Sequence, residues 1–279
     1  MVRRTFTSLL PAALALPRAW AQTPAAWDEP FPAHKIADNL FYVGTKGLSS
    51  YLITTPAGHI LINSSFERTV PLIRASIEKL GFQYASVKLL LGSHAHADHM
   101  AGNWLVRAQT GAKVYVMKGD DGLVRTGGRQ GFTRPCAVDR VLRDGDKVEF
   151  GGVLLAAVLT AGHTMGCTTW TMAVKDGGVK RLAVIVGSPN VNPGTNLIST
   201  VWYPRMAEDY ARSFQIWKAI PCDIFLGAHG EYYGMVKKYE RWKSNRQANV
   251  WVDPEGYQAY ISEREKAFRA EWERQKKGA

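Results

Sequence analysis

Residues 94–99 run His94-Ala95-His96-Ala97-Asp98-His99, which sets four metal-binding side chains within six positions. The run follows Val87-Lys88-Leu89-Leu90-Leu91, an apolar stretch that predicts a buried strand, and precedes a helix expected from about Met100. Residues i and i+2 of an extended segment point to one side, roughly 6.5–7 Å apart. His94 and His96 can therefore close on one ion, and after a turn Asp98 and His99 can face a second. Imidazole and carboxylate together suit zinc, whose tetrahedral shell distorts easily. A single histidine on an apolar face is an ordinary core residue; four donors at one strand end require another explanation.

Two more histidines have the same local setting. Val153–Leu159 predicts a strand and runs into Thr160-Ala161-Gly162-His163, while Asp223–Leu226 predicts another and runs into Gly227-Ala228-His229. Glycine lets the backbone turn sharply at each strand end and presents the imidazole at the sheet edge. His34 and His59 lack that setting. His59 falls in Pro56-Ala57-Gly58-His59, between Tyr51–Ile53 and Ile60–Ile62, and is expected to be a solvated turn residue; His34 follows Pro-rich sequence and is expected to be equally unremarkable.

This pattern resembles the metallo-β-lactamase superfamily, whose signature is His-x-His-x-Asp-His followed by two separate histidines. Carried over position by position, the resemblance implies that His94, His96 and His163 bind a first zinc and Asp98, His99 and His229 a second. Other members carry a bridging aspartate, or a cysteine, after a late strand. Here that strand is Arg181–Val186, and it leads into Gly187-Ser188-Pro189-Asn190-Val191-Asn192-Pro193-Gly194 with neither. That absence resembles subclass B3, as do Asn39–Thr45, Gly162–Trp170, Val191–Gly194 and Ala207–Tyr210. The similarity extends over roughly residues 27–270.

The resemblance implies a four-layer αββα sandwich of α/β class, with two Zn2+ per chain at one edge between the sheets. It implies zinc-dependent hydrolysis of the β-lactam ring of antibiotics by a metal-bridging hydroxide, with Asp98 orienting the nucleophile and passing a proton to the departing nitrogen. The sequence also departs from the subclass. Serines that often hold the substrate carboxylate are replaced by Pro189 and Val191, so Ser188, Asn190 and Asn192 become the candidate substrate contacts. The cysteine that often pairs with the Cys222 position is absent, because Asp253-Pro254-Glu255-Gly256 is followed by Tyr257. The lost serines support an alternative, a di-zinc hydrolase of another strained carbonyl such as a lactone. A basic metal-binding protein without catalytic activity is a third reading.

Residues 1–21 read as an export signal: Arg3-Arg4-Thr5-Phe6 is twin-arginine-like, an apolar run follows, and Ala19-Trp20-Ala21 is a small-x-small cleavage site. Residues 22–279 are expected to form one domain, periplasmic or secreted, monomeric by default and without a stable membrane anchor. Removing Arg3, Arg4 and Arg18 with the signal takes the formal charge from +11 to +8. The basic residues are interleaved with acids, as in Glu263-Arg264-Glu265-Lys266, which argues for a solvated helix face and against nucleic-acid binding. A positive field would still attract a small anionic substrate. Cys136, Cys167 and Cys222 show no metal-binding spacing, and Cys167 is expected to be a packing residue.

Helical periodicity is expected over Glu67–Leu80, with Gly81 as C-cap, over Pro204–Trp217, and from Asp253-Pro254 with Tyr257, Ile261, Phe268 and Trp272 buried. Lys118–Pro135 predicts a surface loop that, with Gly187–Trp202, borders the substrate groove.

Overall fold

Alternating apolar strands and amphipathic helices assemble here into two facing sheets. The computed structural model describes residues 23–128, 133–246 and 249–278, so the expected leader, residues 1–21, lies outside the described residues. The first sheet holds β1 (His34–Ala37), β2 (Leu40–Tyr42), β3 (Tyr51–Thr55), β4 (Gly58–Ile62), β5 (Val87–Leu91), β6 (Lys113–Met117) and β7 (Arg140–Leu142), in that order. The second runs in the order β12 (Ile224–Gly227), β11 (Val179–Val186), β10 (Thr168–Asp176), β9 (Val153–Leu159) and β8 (Lys147–Phe150).

The central strands of the first sheet are apolar on both faces because both are covered. Ile60 and Ile62 of β4, with Leu89 and Leu91 of β5, enter the core between the sheets and meet Leu155, Trp170, Met172 and Ile185. Leu61 and Leu90 point the other way, onto Val70, Ile73 and Ile77 of α1 (Val70–Lys79) and Val106 of α3 (Asn103–Thr110). Each such side chain contributes about 1.5–3 kcal/mol by leaving water. Outside the second sheet lie α5 (Met206–Ala219) and α7 (Pro254–Lys277), which bury Tyr210, Phe214, Trp217, Tyr257 and Phe268. The layers are therefore helix, sheet, sheet, helix, the αββα arrangement expected.

Local chemistry sets the boundaries. The periodic stretch from Glu67 divides into a 3-10 turn, Glu67–Thr69, and α1, which carries a proline in its first turn, where the missing N–H costs nothing. Gly81 follows at φ +86°. Asp253 caps α7 by accepting from the Gly256 N–H at 3.0 Å, and Trp272 on that helix is half-buried. The stretch expected as a loop from Lys118 contains α4 (Asp121–Thr126), whose Val124 is buried; a Gly127 at φ +80° ends it.

Two expectations for the histidines outside the cluster are overturned. His59 lies within β4, is 9 % exposed and meets the Phe82 ring edge-on at 5.4 Å. His34 lies in β1, is 2 % exposed, and is stacked between Tyr42 and Trp251 at 5.1 and 4.9 Å. In both cases the apolar body of the ring is what packs, and the turn is shorter than the sequence suggests. Cys136, Cys167 and Cys222 are free and buried.

Candidate metal centre

Four strands deliver side chains to one edge between the sheets, and each does so at its carboxyl end. β5 leads through Gly92 and Ser93 to His94 and His96; β9 leads to His163; β11 leads to Asn190; β12 leads to His229. The helix after β5 begins earlier than expected. It is a short turn, α2 (Ala97–Met100), with His96 as N-cap, and it carries Asp98 and His99 on its own backbone. That immediate coil is what turns the second pair of donors away from the first.

The six residues form two groups: His94, His96 and His163, and Asp98, His99 and His229, with the candidate ligand atoms in each within 4.8 Å of one another. His163 Nε2 and His96 Nδ1 face each other at 3.2 Å, as do His99 Nε2 and His229 Nε2. Asp98 Oδ2 lies 3.0 Å from His99 Nε2 and 3.4 Å from His229 Nε2. His94 Nε2 is buried without a hydrogen-bond partner. An unsatisfied buried nitrogen costs roughly 1–3 kcal/mol, and two imidazole nitrogens this close share at most one proton. A cation removes both difficulties. Ligand nitrogens on a tetrahedral zinc, with Zn–N near 2.05 Å, stand about 3.3 Å apart, close to the spacing found. The donor set fits zinc.

Electrostatics favour that state. Burial, then neighbouring imidazoles, push His94 well below its ordinary value, and burial likewise lowers His96. Burial takes His163 and His229 down to about 3. At neutral pH their lone pairs are free for a metal. Burial alone would raise Asp98, but His99, by charge and by hydrogen bond, outweighs it with His229 and His96, and holds the carboxyl below the usual range.

Surrounding residues fix the donors. His163 Nδ1 donates to the Asn190 carbonyl at 2.7 Å, which leaves Nε2 for the first group, and the Tyr210 hydroxyl donates to the same carbonyl at 2.6 Å. Asn63, at φ +64°, accepts from the Ser93 N–H at 2.8 Å and donates to the Ser49 carbonyl at 3.2 Å, anchoring the start of the histidine run. Asp120 is 1 % exposed and accepts from the Ala95 and Gly166 N–H groups and the Thr164 hydroxyl. Burial pushes its carboxyl upward against those three bonds. Two backbone N–H donors, one at each oxygen, favour the carboxylate form. Sequence reasoning passed over both Asn63 and Asp120. Asn63 after a β-strand and Asp120 within Gly119-Asp120-Asp121-Gly122 look like turn residues, and only their non-local contacts mark them.

The three candidate substrate contacts separate. Ser188 is 1 % exposed and its hydroxyl lies 3.2 Å from that of Tyr232, so it sits behind the groove. Asn190 has a buried Oδ1, and its amide lies beside the Tyr232 and Tyr260 hydroxyls. Asn192 is exposed and borders both cavities that open onto the centre. One cavity, of about 760 Å³, is lined by Trp27, Phe66, Met100, Leu123, Met165 and Trp202 beside His96 and Asp98. The other, of about 520 Å³, is more polar, with Thr195, Asn196, Ser199 and Thr200 beside His96 and His163. Both loops expected to border the groove, from Lys118 and from Gly187, contribute.

Residues 44–175 match the family described as the metallo-beta-lactamase superfamily. The native FEZ-1 metallo-beta-lactamase from Legionella gormanii is 46% identical, with 89% of this chain and 98% of that one covered at a TM-score of 0.87. BJP-1, a subclass B3 metallo-beta-lactamase of Bradyrhizobium japonicum, is 32% identical over 91% of this chain and 96% of that one, with a TM-score of 0.85. A hydroxyacylglutathione hydrolase from Rhodospirillum rubrum is 30% identical over 94 residues, 34% of this chain. The match spans 31% of that hydrolase's length. The chain belongs to the metallo-β-lactamases and, within them, to subclass B3.

Proposed function

We propose that this metal-dependent hydrolase opens the β-lactam ring of β-lactam antibiotics, with His94, His96 and His163 holding one zinc and Asp98, His99 and His229 a second. The observation that carries the reading is the pair of donor groups on one buried edge at the floor of an open groove. Bound zinc would supply Lewis acidity and hydroxide at neutral pH. The protein's own residues do the rest. His163, locked by the Asn190 carbonyl, presents one tautomer. Asp98 borders the larger cavity with its carboxyl held in the ionised form, and it would orient the attacking hydroxide and relay the proton of that hydroxide to the ring nitrogen as the amide bond breaks. Asn192, exposed at the border of both cavities, would take the substrate carboxylate. The apolar wall formed by Trp27, Phe66, Leu123 and Met165 takes the acyl substituent.

The expected outcome of His94→Ala or His163→Ala is loss of the first metal and of turnover. A metal-replete variant with near parental turnover would refute the ligand assignment. The second reading, hydrolysis of lactones, draws support from Pro189 and Val191 at the positions of the subclass's carboxylate-binding serines. A side-by-side panel decides between them: kcat/KM higher for penicillins, cephalosporins or carbapenems than for lactones supports β-lactam hydrolysis, and the reverse ranking replaces it.

The signal-like sequence of residues 1–21 supports the reading of a periplasmic or secreted product, with residues 22–279 as a monomeric functional domain. No helix among the described residues is long and apolar enough to cross a membrane.

A further inference from the structure

Asp120 is a buried carboxylate that none of the chemistry above uses. It stands at the end of β6, immediately before α4, in neither strand that carries the first donor group. Its Oδ2 accepts from the Ala95 N–H and from the Thr164 hydroxyl, each at 2.8 Å, and its Oδ1 accepts from the Gly166 N–H at 3.0 Å. Ala95 lies between His94 and His96, and Thr164 follows His163. One carboxylate thus ends one residue away from all three histidines of the first group, and it joins a loop from the first sheet to a turn from the second.

The approach of these segments is built into the backbone. A Cβ on Gly166 would meet the Asp120 Cβ and nitrogen at 2.7 Å. Gly119 has φ +103°, and a Cβ there would meet the Met165 backbone at 2.9 Å. A side chain at either position would push the carboxylate off its three donors. The first group contains only neutral imidazoles, whereas the second has the charge of Asp98. A fixed anion bonded beside the first group lowers the cost of placing a dication among neutral ligands.

We infer that Asp120 is a positioning residue for the first metal group: it clamps the His94–His96 loop to the His163 turn and sets the affinity of that group for its ion. The inference rests on the two-zinc reading of the site. It differs from simple structural support in being selective, because the residues holding Asp98, His99 and His229 make no hydrogen bond to it.

The test is a competitive chelator titration of the metal-free full chain with zinc, resolving the two binding steps, beside the thermal midpoint of the metal-free protein. Asp120→Asn keeps the shape and removes the charge and one acceptor. The expected result is about 10- to 100-fold weaker binding at the first group, with the second changed by less than about threefold. Thr164→Val deletes one donor and leaves the carboxylate; it should weaken the first step by a smaller factor, and Thr164→Ser should restore it. If Asp120→Asn does not fold, the Thr164 pair decides. Equal weakening of both steps, or an unchanged first step in Thr164→Val, overturns the inference. Fewer than two zinc ions bound by the parent chain would instead refute the two-zinc reading.

Discussion

His34 shows how far one side chain can couple the fold to pH. Its ring is stacked between Tyr42 and Trp251, Nδ1 faces the Pro32 carbonyl at 2.8 Å, and Nε2 is buried without a partner. Burial lowers it from 6.5 to about 4, against the bond to Pro32. The folded chain then resists protonation while the unfolded chain accepts a proton below pH 6.5. Stability contributed by neutral His34 is complete above that pH and is lost as pH falls towards about 4, by roughly 3 kcal/mol in all. Replacing His34 by Phe should flatten the acid limb of the denaturant-unfolding profile relative to the parent; parallel profiles would contradict this. At the active site, Asn192→Ala should raise KM for carboxylate-bearing β-lactams about tenfold, the worth of one hydrogen bond to a charge, with kcat changed less. An unchanged KM would remove Asn192 from substrate binding. Four of the candidate ligands were legible from their local spacing, and His163 and His229 because each follows a predicted strand and a glycine. Asp120, Asn63 and the burial of His34 were not, since each depends on partners supplied by distant parts of the chain.

Among the elements, α7 depends on one acid at its start. Asp253 accepts from the Gly256 N–H at 3.0 Å and pairs with Lys238 Nζ at 2.8 Å, and Lys238 is 7 % exposed. Asp253→Ala removes a cap worth about 1 kcal/mol and leaves a buried ammonium without its partner, so a total loss of ~2–3 kcal/mol is expected in urea unfolding. Asp253→Asn keeps a capping oxygen and should recover part of it. Equal losses for the two variants would assign the whole effect to the ion pair. Most strands lay where apolar runs placed them: Val87–Leu91 and Val153–Leu159 keep their predicted bounds. Boundaries failed where tertiary contacts decide, as at Ala97, where the helix begins under His96, and at α4, which glycines disguise as loop.

At the scale of the whole chain, the formal charge is +11, or +8 without the expected leader, and a net positive field draws small anions. For an anionic β-lactam, kcat/KM should fall several-fold between about 10 mM and 150 mM ionic strength, while kcat stays level. Salt-independent kcat/KM would mean the field does not steer substrate. The layered order of the sheets was expected from the family signature rather than from periodicity, which alone specifies only a mixed α/β domain. The two donor groups, brought together from three strands, are the feature on which the whole account turns. The most direct test is to strip the purified mature chain with a chelator and titrate zinc back, counting bound ions while following hydrolysis of a chromogenic cephalosporin and a carbapenem. The account predicts no turnover in the metal-free chain and full recovery by two zinc ions. Undiminished turnover without metal, or two bound ions with no β-lactam hydrolysis, would contradict it.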